Sequence, residues 1–259
     1  MIKAMIFDMD GVLFDTERVL KDCWIKTAKE MNFSIGEEEL RQMRGASAAF
    51  CNTLFQKWYE GKVDYKKARA RRSQYLEEYI DLHSIPEKKG LKELLNYLKQ
   101  QNIPFAIATS TERKRASEYW EMATITDLIS ASVCGDEVTN SKPDPEIFLT
   151  AAKKLHVPIQ DCMVVEDSIN GLKAARASGA FSCMVPDLTP YSEDLKPICD
   201  FVCEDLTSCI SLLESLNHTA WHRHHTQKRS HGCLLIFLCQ LHDFVVFPHN
   251  VSIIFSLMR

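Results

Sequence analysis

The sequence predicts an α/β protein: a Rossmann-like parallel sheet core with an inserted helical cap domain. Three observations predict it. Short apolar runs recur at 3–7, 105–108, 131–134, 162–165, 181–185 and 200–203, as strands buried on both faces do. Helical segments separate them at 145–156, 169–178 and 205–216, and strands alternating with helices make a parallel sheet covered on both sides. Between the first two runs, from about Thr16 to Leu82, the chain turns to long, charged, helix-favouring stretches.

The elements follow in order. Residues 3–7 (Lys-Ala-Met-Ile-Phe) form the first strand and deliver Asp8 at its end. Gly36, Gly45 and Gly61 are expected breaks in the inserted stretch and divide it into several helices. Leu91, Leu94, Leu95 and Leu98 repeat at helical spacing and mark one buried face of a helix that stops before Pro104. Lys142 precedes Pro143, a residue able to start a helix. The helix after Asp167 is punctuated by Ser168 as N-cap and Gly179 as its stop. This divides the chain into an α/β core (1–15 and 83–214), a helical cap (16–82) and a tail (215–259).

The tail breaks the pattern. It holds seven of the nine histidines and almost no acids. Its apolar runs (Cys233–Cys239, Phe244–Phe247, Val251–Met258) are broken by His242, Asp243, Pro248 and His249, so none is long enough to span a bilayer. His218, His222, His224 and His225 invite a metal-site reading, with His222 and His225 one helical turn apart. No strong helix signal or nearby carboxylate supports it, and a disordered or loosely amphipathic appendage outside the core is expected instead.

Composition narrows the function classes. With 46% hydrophobic and 25% charged residues among 259, the chain suits a folded globular protein. A formal charge of -4 gives no field for steering onto nucleic acid. Ten cysteines without a CxxC pair, after a start too short and too acidic for a signal peptide, read as free thiols in a reducing cytoplasm. A cytoplasmic monomer, bound to neither nucleic acid nor membrane, is expected.

The informative segment is Phe7-Asp8-Met9-Asp10-Gly11-Val12-Leu13 with Phe14-Asp15-Thr16-Glu17 behind it. Residues two apart in an extended chain point the same way, so Asp8 and Asp10 share one side of the strand end. Two carboxylates so close are tolerable only with a cation or a shared proton between them. Gly11 lets the chain turn at once. In open parallel sheets ligands bind outside the carboxyl ends of the strands, and Thr109 and Glu166-Asp167 also stand at such ends. Lys142 can supply the positive charge that such a site needs.

These residues resemble the haloacid dehalogenase-like phosphatases. The first motif of that family, D-x-D-G-[TV]-[LV], matches Asp8 to Leu13. Thr109 matches the second motif, a Ser or Thr that hydrogen-bonds the transferring phosphoryl group; Lys142 matches the third, a charge-balancing lysine; Glu166-Asp167 match the fourth, acidic, Mg²⁺-holding motif. The resemblance covers roughly residues 1–214. It implies a Mg²⁺-dependent phosphatase acting on a small phosphorylated metabolite such as a sugar phosphate, a nucleotide-like phosphate or phosphoglycolate. Asp8 is then the nucleophile that forms an aspartyl-phosphate and Asp10 the general acid and base. Thr109, the Ser110 backbone N–H and Lys142 hold the phosphoryl oxygens. Mg²⁺ takes Asp8, the Asp10 carbonyl and Asp167, with Glu166 nearby. The cap supplies substrate contacts, with Arg44 and Thr16 as candidates. Its basic run (Lys62, Lys66, Lys67, Arg69, Arg71, Arg72) reads first as a solvated helix face, and otherwise as a grip on a second anionic group. The nearest competitor, β-phosphoglucomutase, carries a histidine and a cap-loop arginine where this chain has Leu20 and Ala48, which favours hydrolysis. A non-catalytic binding scaffold is the remaining alternative, and none of the residues whose loss would signal it is lost.

Overall fold

A computed structural model describes residues 1–226. Six strands form one sheet: β1 (Ala4–Phe7), β2 (Phe105–Ala108), β3 (Ala131–Val133), β4 (Cys162–Glu166), β5 (Phe181–Met184) and β6 (Phe201–Val202). Their order is β3-β2-β1-β4-β5-β6, every neighbouring pair parallel. The order reverses beside β1, the place where open α/β sheets bind ligands. Register does the positioning. Phe7 lies opposite Ile107 on one side and Val165 on the other, so the residues that follow each leave the sheet at one level.

Alternation along β1 divides the core. Met5 and Phe7 enter one hydrophobic cluster, with Phe105, Ile107, Met163 and Val165. Ala4 and Ile6 enter another, with Ala106, Ala108 and Val164. Helices α5 (Leu91–Gln100) and α9 (Leu206–Thr226) cover the first face. Leu91, Leu94, Leu95 and Leu98 point into it at no more than 1% exposure, each contributing about 1.5–3 kcal/mol of transfer free energy. Helices α7 (Glu146–Leu155) and α8 (Ile169–Ser178) cover the second face with Ile147, Phe148, Ala151, Ala174 and Ala175. The Ser168 hydroxyl accepts from the Gly171 N–H at 3.0 Å and caps α8 as its sequence foretells. Helix α7 starts after Pro145, within the expected 145–156 segment.

The inserted stretch folds as four helices: α1 (Thr16–Glu30), α2 (Glu37–Met43), α3 (Ala48–Tyr59) and α4 (Tyr65–His83). They own a small aromatic core in which Trp24, Leu40, Cys51, Phe55, Tyr65 and Ala68 are buried together. Asp64 caps α4 by accepting from the Lys67 N–H at 3.1 Å.

Two features depart from the sequence expectation. Helix α6 (Arg113–Met122) is absent from the expected elements, because it opens on the charged run Arg-Lys-Arg-Ala-Ser-Glu and over its whole length buries only Ala116, Tyr119 and Trp120. Helix α9 runs on to Thr226 instead of ending near 216. Leu216 packs against the core, and the Asn217 side chain accepts from the Ile2 N–H at 3.0 Å, so the first residues assigned to the tail are fastened to the sheet. The side chains of His218, His222, His224 and His225, and all of 227–259, lie outside the described residues. Among the described residues no helix is long and apolar enough to cross a membrane.

Candidate active site

Asp8 leaves β1 with 6% of its surface exposed, and its N–H donates to the Val165 carbonyl at 3.0 Å. The chain then doubles back, with the Leu13 and Phe14 N–H groups both donating to the Met9 carbonyl. Gly11 sits in this turn at φ +84°, and a Cβ there would lie 2.5 Å from Asp167 Oδ2. Glycine is required twice over, for the backbone angle and for the approach of that carboxylate.

The Asp10 carboxylate is held at both ends. Thr16 donates to Oδ1 at 2.5 Å and Thr111 donates to Oδ2 at 2.7 Å. Thr16 is fully buried and is absent from the cavity wall. The hydroxyl expected to contact substrate is thus bonded to the Asp10 carboxylate. Thr111 escaped the sequence reading, although it stands two residues beyond Thr109, where an extended chain points the same way. Thr109 itself is buried at the end of β2, its hydroxyl accepting from the Thr111 N–H at 3.1 Å.

Beneath Asp8 lies Lys142, 2% exposed. Its ammonium donates to Asp8 Oδ1 at 2.5 Å, Glu166 Oε1 at 2.6 Å and the Ala108 carbonyl at 3.2 Å. All three donors of an ammonium are thus used. Burial works against this charge, but Asp8 and Glu166 more than offset it and hold the lysine above its ordinary range. The other Glu166 oxygen accepts from the Asp167 N–H, the Ser168 N–H and the Ser168 hydroxyl at 3.1, 3.1 and 2.9 Å. A Cβ at Gly171 would overlap this carboxylate at 1.9 Å, so glycine lets Glu166 nest against the start of α8. The acidic pair therefore splits its duties. Glu166 anchors Lys142, whereas Asp167 Oδ2 is buried with no hydrogen-bond partner.

Carboxylate oxygens of Asp8, Glu166 and Asp167 all lie within 4.8 Å of one another. Burial pushes Asp8 well above the usual carboxylate range, with Lys142 opposing and Glu166 and Asp10 adding to the rise. Burial likewise raises Asp167, and Glu166, Glu17, Asp8 and Asp187 add to it. One ammonium does not neutralise this group. An orphaned buried oxygen, in an all-oxygen donor set, fits a hard divalent cation such as Mg²⁺.

The inserted helices meet the sheet across a cavity of about 240 Å³. The loop at Arg44–Gly45 touches the core directly: the Ser110 hydroxyl donates to the Gly45 carbonyl at 3.2 Å, and the Asn170 amide to the Arg44 carbonyl at 3.3 Å. Of the residues expected from sequence, Asp8, Asp10, Thr109, Ser110 and Arg44 line the cavity. Lys142, Glu166 and Asp167 form the buried group below. The Arg44 side chain pairs with Glu37 and donates to the Thr189 hydroxyl at 3.4 Å. Leu20 and Ala48 also line the wall. Glu17, passed over in the sequence, does too; burial raises its carboxyl to about 7, Asp10 adding and Arg44 opposing.

A buried aspartate after the first strand, locked to a lysine and flanked by a second, fixed aspartate, defines an acid-and-cation site of the phosphoryl-transfer kind. The family model of the haloacid dehalogenase-like hydrolases matches residues 5–185, and the chain belongs to that family. A phosphorylated carbohydrates phosphatase of Thermotoga maritima is 30% identical over 178 residues, covering 69% of this chain and 82% of the relative. A probable pseudouridine-5'-phosphatase of Drosophila melanogaster is 32% identical over 192 residues, covering 70% and 80%. The crystal structure of a β-phosphoglucomutase from Clostridium difficile shares the fold with a TM-score of 0.70 at 24% identity, covering 85% of this chain and 99% of that one. The chain is a phosphoric monoester hydrolase.

Proposed function

We propose that the protein hydrolyses a small phosphorylated metabolite, a sugar phosphate or nucleotide-like phosphate, through a phosphoryl-enzyme intermediate on Asp8. The observation that carries this reading is the locking of Asp8 Oδ1 to Lys142, which leaves the other oxygen as the attacking atom at the cavity floor. Lys142 opposes the rise that burial imposes on that carboxylate. Asp10, fixed by Thr16 and Thr111, protonates the leaving oxygen and later takes a proton from the water that hydrolyses the intermediate. Thr109 and Ser110, beside Asp8 on the cavity floor, hold the phosphoryl oxygens. Asp8, Asp167 and the Asp10 carbonyl would hold a Mg²⁺, which would supply charge stabilisation to the transferring group. Residues 16–82 act as a cap that excludes water while the phosphoryl-enzyme exists. The sugar and nucleotide classes come from the named relatives. The eight described cysteines, all free and buried, fit a cytoplasmic setting.

Hydrolysis is preferred to mutase chemistry because Leu20 and Ala48 offer the cavity neither a proton nor a positive charge. The test is phosphate release from sugar phosphates, nucleoside monophosphates and phosphoglycolate, with and without Mg²⁺, beside Asp8→Asn. Release that needs Mg²⁺ and vanishes in the variant supports the reading. Conversion of β-glucose 1-phosphate to the 6-phosphate without release would replace it by the mutase.

A further inference from the structure

Resting on the phosphatase reading above, we propose that the substrate carries a second oxyanion, phosphate or carboxylate, and that Arg72, Arg69 and Arg115 form its subsite in the cavity wall.

The three arginines come from two parts of the molecule. Arg69 and Arg72 lie one turn apart on α4, and Arg115 lies on α6 of the core; all three line the cavity. Their partners differ in a telling way. Arg69 pairs with Glu112 at 3.3 Å, Arg71 with Glu30 at 2.9 Å, and Arg115 with Glu77. No carboxylate among the described residues pairs with Arg72. Its Nε is buried without a hydrogen-bond partner, and its guanidinium rests 5.3 Å from the centre of the Trp24 ring. Such a group stays charged, and a half-buried cation whose Nε is shut off from water without a partner is costly. Burial pulls Arg72 below its ordinary range, Arg69 and Arg115 add to the pull, and Tyr65 and Glu17 oppose it only in part.

Arg72 thus lacks a counterion inside a cavity whose floor already provides for one phosphate. The flanking arginines are free to share an anion, because Glu112 and Glu77 have side chains 63% and 55% exposed and can turn to water. Guanidinium groups match phosphate and carboxylate oxygens bidentately. An anion there would touch α4 and α6 at once and tie the inserted helices to the core. The rest of the basic run is spent elsewhere: Lys66 and Lys67 face solvent, and Arg71 is occupied by Glu30.

The test compares kcat/KM of wild type and R72Q on a bisphosphorylated sugar, a phosphorylated hydroxy acid and a neutral sugar monophosphate, with p-nitrophenyl phosphate as a generic ester. Wild type is expected to favour one of the doubly anionic substrates at least tenfold over the neutral sugar, and which one tells phosphate from carboxylate. R72Q is expected to lose that tenfold through KM, with partial rescue in R72K. Equal wild-type values with and without the second anion overturn the inference, as does a preference that survives in R72Q. Calorimetric binding of an alkylphosphonate, a phosphonoalkanoate and an alkylbisphosphonate of equal length to wild type needs neither turnover nor a folded variant. Tighter binding of a doubly anionic probe by tenfold supports the subsite, and equal binding removes it. Failure to turn over any ester, p-nitrophenyl phosphate included, sinks the phosphatase reading instead.

Discussion

On the floor of the cavity, Asp8, Lys142 and Glu166 stand at or behind the ends of neighbouring strands, and each is tied to another. On the wall, Arg44 comes from the loop after α2 and Arg69 and Arg72 from α4; the first two pair with exposed glutamates and the third pairs with none among the described residues. The floor is buried and saturated except where a cation fits, so it can do one kind of chemistry. The wall is only partly compensated, so its charges are free to choose among ligands. A site divided in this way separates what happens to the phosphate from which molecule brings it.

Substitutions on the floor should break chemistry, and those on the wall should shift preference. The largest effect is expected from Asp8→Asn, which keeps the shape but removes the nucleophile; kcat should fall roughly 10⁴-fold or more, as when other nucleophiles are removed. Lys142→Ala is expected to abolish turnover as well. It should also lower stability in urea unfolding by about 3–5 kcal/mol, because it leaves Asp8 and Glu166 buried without their cation. A Lys142→Ala protein as stable as wild type would show that the floor is not held together by this pair.

Thr111→Val tests the orientation of Asp10. Removing one of its two hydroxyl donors is expected to cost about 10-fold in kcat, a part of the roughly 10²–10⁴ that a positioned acid–base group supplies. Thr111→Ser should restore it, with KM little changed in both. The divalent cation should bind more weakly as pH falls. Asp8 and Asp167 have raised pKa values, so protons compete for the same oxygens from a higher pH than usual. Titration of apparent Mg²⁺ affinity between pH 8 and 5.5, each value set about 1–2 units from neutrality, checks this.

The smallest effect belongs to the wall. Glu17 titrates near 7, so it is neutral below that pH and anionic above it. An anionic Glu17 opposes an anionic substrate, and KM should rise a few-fold as pH rises through 7. Glu17→Gln should flatten the rise that remains once the substrate's own second ionisation, near pH 6, is divided out. A rise identical in both proteins would remove Glu17 from the wall's electrostatics.

The floor was legible in the sequence, and the reason is geometric. A parallel strand fixes where its last residue goes, so Asp8, Thr109 and Glu166 could be placed from short apolar runs alone, and the register of β1 with β2 and β4 sets them at one level. The division of labour between Glu166 and Asp167 was not legible, because it depends on Ser168 and Gly171 folding back around one carboxylate. The role of Thr111 was hidden for a related reason. Its bond to Asp10 joins residues 101 apart in sequence. On the wall, the basic run of α4 gave no sign of which arginines turn inward; that choice follows from how Trp24 and Tyr65 seat the helix. Helix α6 was missed because a helix whose exposed face is densely charged and whose buried face is three residues shows little periodicity.

The role proposed for Asp8 is to carry the phosphoryl group. Rapid quench in acid during steady turnover, followed by peptide mapping, reads this directly. Phosphate on the Asp8-containing peptide, absent in Asp8→Asn and lost on chasing with excess substrate-free buffer, is the predicted result. Turnover at the same rate with no phosphate on that peptide at any quench time would contradict it and make water the direct attacking group.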